Sequence, residues 1–279
     1  MPRRSESIQT EKRAASEENH DSPENGAKEV DGDFMTSLAR GLSVIQAFSQ
    51  HKRQLTVSQI SILTGISRAA VRRCLHTLSK LGFAGTHDQQ HYYLRPKVLS
   101  LGQAYFSSTP LGKVAQPVLD HLSTELSESC SVATLEDFEV FYIARAAVSR
   151  IIAIDLRVGS RLPAYCTSMG RVLLAYLRPE EVDAYLARGP FPPRTDRTVV
   201  SVAKLKHVLE TVRRNEYALV DQELEVGLRS LAVPIRASSG EVVAALNVGC
   251  HAQRTSVREM QTAFLPLLRR AATEIGNLI

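Results

Sequence analysis

The stretch Leu55–Phe83, LTVSQISILTGISRAAVRRCLHTLSKLGF, breaks one short helical pattern at a glycine and restarts it at a serine. Thr56 is a helix-capping residue type, Ile60 and Leu63 are placed to point inward, and Gly65 suits the left-handed backbone that ends a helix. Ser67 then caps a second helix, predicted to run to Leu81 and to close at Gly82. A turn of about three residues between two such helices is the connection of a helix-turn-helix.

The second helix has two chemically opposed faces. Val71, Cys74, Leu75 and Leu78 recur at helical spacing and must face a core. Arg68, Arg72, His76 and Ser79 line the other side, with Ala69 and Arg73 beside them. The small Ala69 and Ala70 permit a close approach to a surface. FAGTHDQQHYYL then reads as two short strands around a polar turn at Asp88–Gln90, and with an upstream helix it completes a winged helix-turn-helix. That upstream helix lies in FMTSLARGLSVIQAFSQ, where Leu38, Leu42, Ile45 and Phe48 share a face.

Charge follows this division. Residues 1–33 hold nine acids against five Lys and Arg, whereas residues 34–94 hold seven Lys and Arg against the single acid Asp88. A basic segment so placed is expected to meet double-stranded DNA, the alternative being a solvated basic face. Arg68 and Arg72, near the start of the recognition helix, are the candidates for base readout. Ser67, Ala69, Arg73, His76, Lys80 and the wing residue His87 complete the expected DNA-binding set. Arg73, Lys80 and His87 are assigned to phosphates, although a plain solvated charge also fits Arg73 and Lys80.

Other features narrow the class. The acidic leader lacks the apolar content to fold or to serve as a secretory signal, and is expected to be disordered. No apolar run approaches the roughly 20 residues of a membrane span, so the expectation is a cytoplasmic protein without a membrane partner. Cys74, Cys130, Cys166 and Cys250 show no CxxC spacing and read as core residues, not as a metal site. No GxSxG, GxxxxGK[ST], HExxH or strand-following GxGxxG occurs, so neither a catalytic residue nor a cofactor is assigned. Asp221, Glu223 and Glu225 form an acidic cluster, read as solvated carboxylates in preference to acid–base groups.

From Pro96 to Ser129 the pattern is helical, with Pro110 and Pro117 arguing against one continuous rod. The remainder alternates. SVATLEDFEVFYIARA is a hairpin, RIIAIDLRVG a further strand, and helices follow at Ser168, Pro179 and Ser201. ALVDQELEVGLRSLAVPIRASSGEVVAALNVGC gives three more strands, and Ser256–Ile279 a last helix. The fold class is α+β: a winged helix-turn-helix at 34–94, a linker helix at 95–107, and an antiparallel sheet with packed helices at 108–279, after a tail at 1–33. In CTSMG, Thr167 and Ser168 precede a helix whose free N–H groups at Ser168, Met169 and Gly170 suit a carboxylate. An ordinary N-cap is the competing reading.

The stretches FMTSLARGL, AAVRRCLHTL, LPAYCTSMGRVLLA and VDQELEVGLRSLAVPI resemble the IclR family of bacterial transcription regulators, from Phe34 to the C-terminus. They are most similar to its Pca branch, regulators of protocatechuate catabolism that respond to β-ketoadipate, with cousins that sense protocatechuate or 4-hydroxybenzoate. The resemblance implies a GAF-like effector domain with a pocket walled by Ile151, Ser168, Met169, Asp221, Leu228, Ser230, Asn247 and Gly249. Family members often carry a hydroxyl residue where Asn247 and Gly249 stand, and a smaller residue where Met169 stands. A carboxylate effector also wants a cation, for which Arg161 or Arg229 is available; a surface ion pair is the preferred reading of Arg229. The resemblance further implies activation of aromatic-catabolism genes together with repression of the regulator's own gene, RNA polymerase as a partner, a homodimer or homotetramer, and a palindromic operator. Two rivals stand beside this reading: an enzyme with an attached DNA-binding domain, and a constitutive DNA-binding scaffold with a vestigial pocket.

Overall fold

The computed structural model describes residues 33–48, 54–148 and 156–279, apart from the side chains at 106 and 107. It divides into two compact units, residues 1–96 and 97–279. The first holds α1 (Thr36–Gln46), β1 (Leu55–Thr56), α2 (Val57–Thr64), α3 (Arg68–Lys80), β2 (Ala84–Thr86) and β3 (His91–Leu94). Thr56 caps α2 in a full capping box with Gln59. Gly65 closes it at φ 70°, the left-handed backbone that a Cβ disfavours. Ser67 caps α3 by accepting from the Ala70 N–H at 3.4 Å. At the far end Phe83 N–H donates to Leu78 O and Gly82 N–H to Ser79 O, a Schellman closure around Gly82.

This unit's core is Val44, Leu55, Ile60, Val71, Leu75 and Leu78. Three details differ from expectation. On α1 it is Val44 that is fully buried, while Leu38 and Leu42 are 58% and 48% exposed. The Val44 side of the helix meets α3 and α2, and the Leu38–Leu42 stripe lies beyond the reach of both. Leu63 is 46% exposed, because two-turn α2 reaches the core mainly through Ile60. Leu55–Thr56 also pairs with β3, making the wing a three-stranded β1-β3-β2 sheet.

A 3₁₀ turn at Pro96–Val98 spans the boundary, and the second unit continues with α4 (Leu99–Ser108) and α5 (Leu111–Leu126). Pro110 precedes α5, but Pro117 lies inside it without ending it. Burial of Leu111, Ala115, Leu119 and Leu122 offsets the roughly 3 kcal/mol that an interior proline costs. There follow β4 (Ser129–Glu136), β5 (Glu139–Ala146), β6 (Arg161–Pro163), α6 (Ser168–Ala175), α7 (Pro179–Leu186), α8 (Val202–Asn215), β7 (Ala218–Asp221), β8 (Leu228–Arg236) and β9 (Val242–His251). Short α9 (Val257–Glu259), a π turn at Met260–Phe264 and α10 (Leu265–Gly276) end the chain. Most of the strand expected in RIIAIDLRVG lies outside the described residues; Leu156–Gly159 forms no strand, and the edge strand is β6 instead.

All strand pairs in the six-stranded sheet are antiparallel, in the order β6-β5-β4-β9-β8-β7. One face carries Val132, Leu231, Val233, Leu246 and Val248 against α5 and α10. The other carries Ala133, Ala218, Ala232 and Ala245 against α6, α7 and α8. α6 is fixed by a buried ion pair. Arg171 Nη1 and Nη2 each lie 2.6 Å from a Glu223 oxygen, and Arg171 Nε donates to Tyr165 O. Glu223 was expected among solvated carboxylates. It is buried, because Val199 N–H and Arg171 supply the donors that water would otherwise provide.

Removing one partner of such a pair strands a buried charge. Glu223→Ala is expected to lower unfolding free energy by about 3–5 kcal/mol, read as a fall in denaturant midpoint at constant slope. A loss below about 1 kcal/mol, the worth of an exposed pair, would contradict this account.

Candidate functional site

The basic face of α3 is presented as expected. Arg68, Ala69, Arg72, Arg73, His76 and Lys80 are all exposed, as are Ser67 at the cap and His87 on the wing, while Ser79 is half-buried. Capping at Ser67 and closure at Gly82 hold these side chains on one rigid 13-residue helix. The wing tip is built around Asp88, which accepts from the backbone N–H of Gln90 and His91. The His91 ring, with Nδ1 2.6 Å from Asp88 Oδ2, and these backbone donors hold the carboxyl well below the ordinary range. His87 stacks on Tyr93 at 4.7 Å between centroids.

A second candidate site follows from strand alternation in the sheet. In SCSVA of β4, SLAVPI of β8 and ALNVGC of β9, every second residue is a large aliphatic or cysteine that faces α5 and α10. Apart from Pro234, the residues between them are Ser, Ala, Gly or Asn, and they lie on the face that α6 covers. Small side chains opposite a helix start leave a cavity of about 50 Å³. Ser168, Met169, Leu228, Ser230, Asn247 and Gly249 all line it. A Cβ added at Gly249 would meet only Leu228, at 3.9 Å, and so would project into free space.

Other expected pocket residues sit elsewhere. Ile151 lies outside the described residues. Gly170 backs the helix onto the chain: its Cβ position is 2.3 Å from Ala164, and its N–H is already given to Thr167 Oγ1. Arg161 is exposed on β6 and pairs with Glu139 at 2.7 Å, away from the cavity lining. Asp221 instead holds Arg229 at 2.8 Å and Arg197 at 3.1 Å. Arg229 is an ion-pair residue, though a buried one, with Nη1 donating to Ala252 O and Thr255 O.

The cation of the cavity is Arg145, which the sequence reading missed, together with the wall residue Tyr142. A β-bulge at Val132/Ala133 is the cause. It pairs Ser131 with Arg145 but Ala133 with Tyr142, so residues three apart in sequence share a face. Arg145 Nη1 donates to Ser131 Oγ at 2.9 Å. Across the sheet Ser131 also stands beside Asn247, giving the row Arg145, Ser131, Asn247.

Among the described residues, Ser168 Oγ and Asn247 Oδ1 in the cavity are buried without a hydrogen-bond partner. Each such vacancy costs about 1–3 kcal/mol, which a ligand's polar group would recover. Burial pushes the Cys166 thiol up to about 11 and the Tyr142 hydroxyl up to about 12. Both stay protonated near neutrality, so the wall is uncharged apart from Arg145 among the described lining residues. The arrangement can hold a small anion and offers it no ionised nucleophile.

Comparison with known proteins agrees with this division. The IclR helix-turn-helix domain matches residues 37–88, and the bacterial transcriptional regulator IclR C-terminal family matches residues 103–277. The Pca regulon regulatory protein of Pseudomonas putida is 55% identical over 246 residues, covering 88% of this chain and 84% of that one. A crystal structure of a transcriptional regulator from Rhodococcus sp. RHA1 superposes with a TM-score of 0.76 at 44% identity, covering 87% of this chain and 97% of that one. An IclR homologue from Microbacterium hydrocarbonoxydans, solved with 4-hydroxybenzoate, gives a TM-score of 0.75 at 25% identity over 86% of this chain and 98% of that one. Among the described residues, no helix is long and apolar enough to cross a membrane. On the two matched domains and the relative at 55% identity, the chain belongs to the IclR family of bacterial transcriptional regulators, which are DNA-binding proteins and not enzymes.

Proposed function

We propose that this regulator controls genes of the protocatechuate and β-ketoadipate pathway, chiefly as an activator. Its effector is a small carboxylate of aromatic catabolism bound in the α6 cavity, either β-ketoadipate or an aromatic acid such as 4-hydroxybenzoate. The observation that carries the reading is Arg145 beside the buried, unpartnered Ser168 Oγ and Asn247 Oδ1, in a cavity whose described lining residues are otherwise uncharged. The 55% identity to a Pca regulon protein supports the pathway, and the 4-hydroxybenzoate complex of a related chain supports the ligand class.

Residues 34–94 act as the DNA-binding domain, 95–107 as the linker and 108–279 as the effector domain. On DNA, Arg68 and Arg72 read bases while Arg73, Lys80 and His87 fix phosphates. The uncovered apolar stripe of Leu38 and Leu42 on α1, with Phe34 just before the helix, favours a homodimer on a palindromic operator, with RNA polymerase as a further partner in the cytoplasm. The cavity's 50 Å³ is about a third of the ~150 Å³ that admits benzene. Effector binding therefore moves wall side chains, which gives ligand and empty protein different conformations for a population shift to act on.

In fluorescence anisotropy with the operator, Arg72→Ala is expected to lose about 1–3 kcal/mol of specific binding and to relax preference at one base position. Lys80→Ala should weaken all sequences alike and reduce the salt slope by about 1. Unchanged operator affinity for Arg72→Ala removes its readout role. The effector half is tested by thermal unfolding of the full chain with β-ketoadipate, protocatechuate and 4-hydroxybenzoate. A ligand at about 100 times its Kd adds about 2.7 kcal/mol and raises the midpoint by several degrees. No shift with any of the three acids refutes the proposed effector class.

A further inference from the structure

The carboxylate reading leaves open what distinguishes one acid from another, and the polar row across the sheet bears on it. Ser131 sits between Arg145 on β5 and Asn247 on β9, and the guanidinium reaches Ser131 Oγ. The cation and the amide thus converge on one end of the cavity. Ser168 at the start of α6 faces them, itself buried and with its hydroxyl unpartnered. Met169 and Tyr142 add apolar wall. A plain carboxylate held at Arg145 leaves Asn247 Oδ1 buried without a partner.

We propose that Asn247 is the specificity-determining residue of this cavity: it selects carboxylates that carry a second oxygen function, a hydroxyl or an oxo group, over the same acid without it. The inference rests on the reading of the cavity as a carboxylate site. Arg145 takes the carboxylate, and Asn247, with Ser168 opposite, takes the second oxygen. The amide presents an acceptor through Oδ1 or, turned over, a donor through Nδ2, so it serves either a hydroxyl or an oxo oxygen. A site built to hydrogen-bond an oxygen rejects the analogue lacking it, because the buried group is then left unpaired. A bare apolar pocket discriminates only by size and shape.

The test deletes the oxygen from the ligand and the amide from the protein. Calorimetric affinities of the full chain are measured for 4-hydroxybenzoate against benzoate and for β-ketoadipate against adipate. Wild type, Asn247→Leu and Arg145→Gln are compared. Wild type is expected to favour the oxygenated member of at least one pair by about 5- to 100-fold. Asn247→Leu should bring that ratio near one, with affinity for the plain acid retained, whereas Arg145→Gln lowers both members together. If Asn247→Leu fails to bind operator or to unfold cooperatively, Asn247→Ala supplies the same readout. A variant that keeps the wild-type ratio overturns the assignment, as does one that loses the plain acid as fully as the oxygenated one. Failure of all four acids to bind wild type is a different pattern: it sinks the carboxylate reading itself, and this inference with it.

Discussion

The effector domain hangs on the bidentate contact between Arg171 and Glu223. Burying two charges is justified only when every donor and acceptor is matched, and here the matching is nearly complete. Arg171 gives its remaining Nε–H to Tyr165 O, and the Glu223 carboxylate also receives Val199 N–H. The Glu223 carbonyl accepts from the hydroxyls of Thr198 and Thr195. One residue pair therefore ties α6, the segment around 195–199 and the β7–β8 loop to one another. Arg171 lies one turn along from Ser168, so the lock that secures the helix also sets where its first residue stands above the sheet.

That position gives the cavity its character. A helix start brings unpaired N–H groups and a favourable field for anions. Opposite it the sheet offers Ser, Gly and Asn on three neighbouring strands, and Arg145 delivered by a bulge. The Schellman closure and Ser67 cap fix α3 as the ion pair fixes α6, and on α3 they hold a row of charged side chains on one rigid helix.

Much of this was legible in the sequence, and what was not has identifiable causes. Thr56, Gly65, Ser67 and Gly82 act through local backbone chemistry, so their roles could be read directly, as could Thr167 before α6. The two-residue strand at Leu55 exists only because β3 returns beside it, and no local pattern announces it. Leu38 and Leu42 looked like core because they are apolar and in phase; which stripe of α1 meets α3 is a tertiary fact. Arg145 was hidden because strict alternation along FYIARA places it opposite Tyr142, and only the bulge brings the two to one face. Glu223 was mistaken for a solvated acid because its partner lies 52 residues away. The alternation of small and large residues in SCSVA, SLAVPI and ALNVGC was visible throughout and would have marked the cavity wall.

That alternation also separates two jobs within one sheet. The large aliphatics of β4, β8 and β9 pack against α5 and α10 and build one of the domain's two cores. Of the residues between them, Ser129, Ser230, Asn247 and Gly249 line the cavity, while Ala133, Ala232 and Ala245 pack under α6, α7 and α8. A descendant of this chain can therefore exchange Asn247, Gly249 or Ser230 for another small side chain with little disturbance to the opposite face. The sheet works as a partition between folding and recognition, which makes the sensor's chemical taste evolvable at low structural risk.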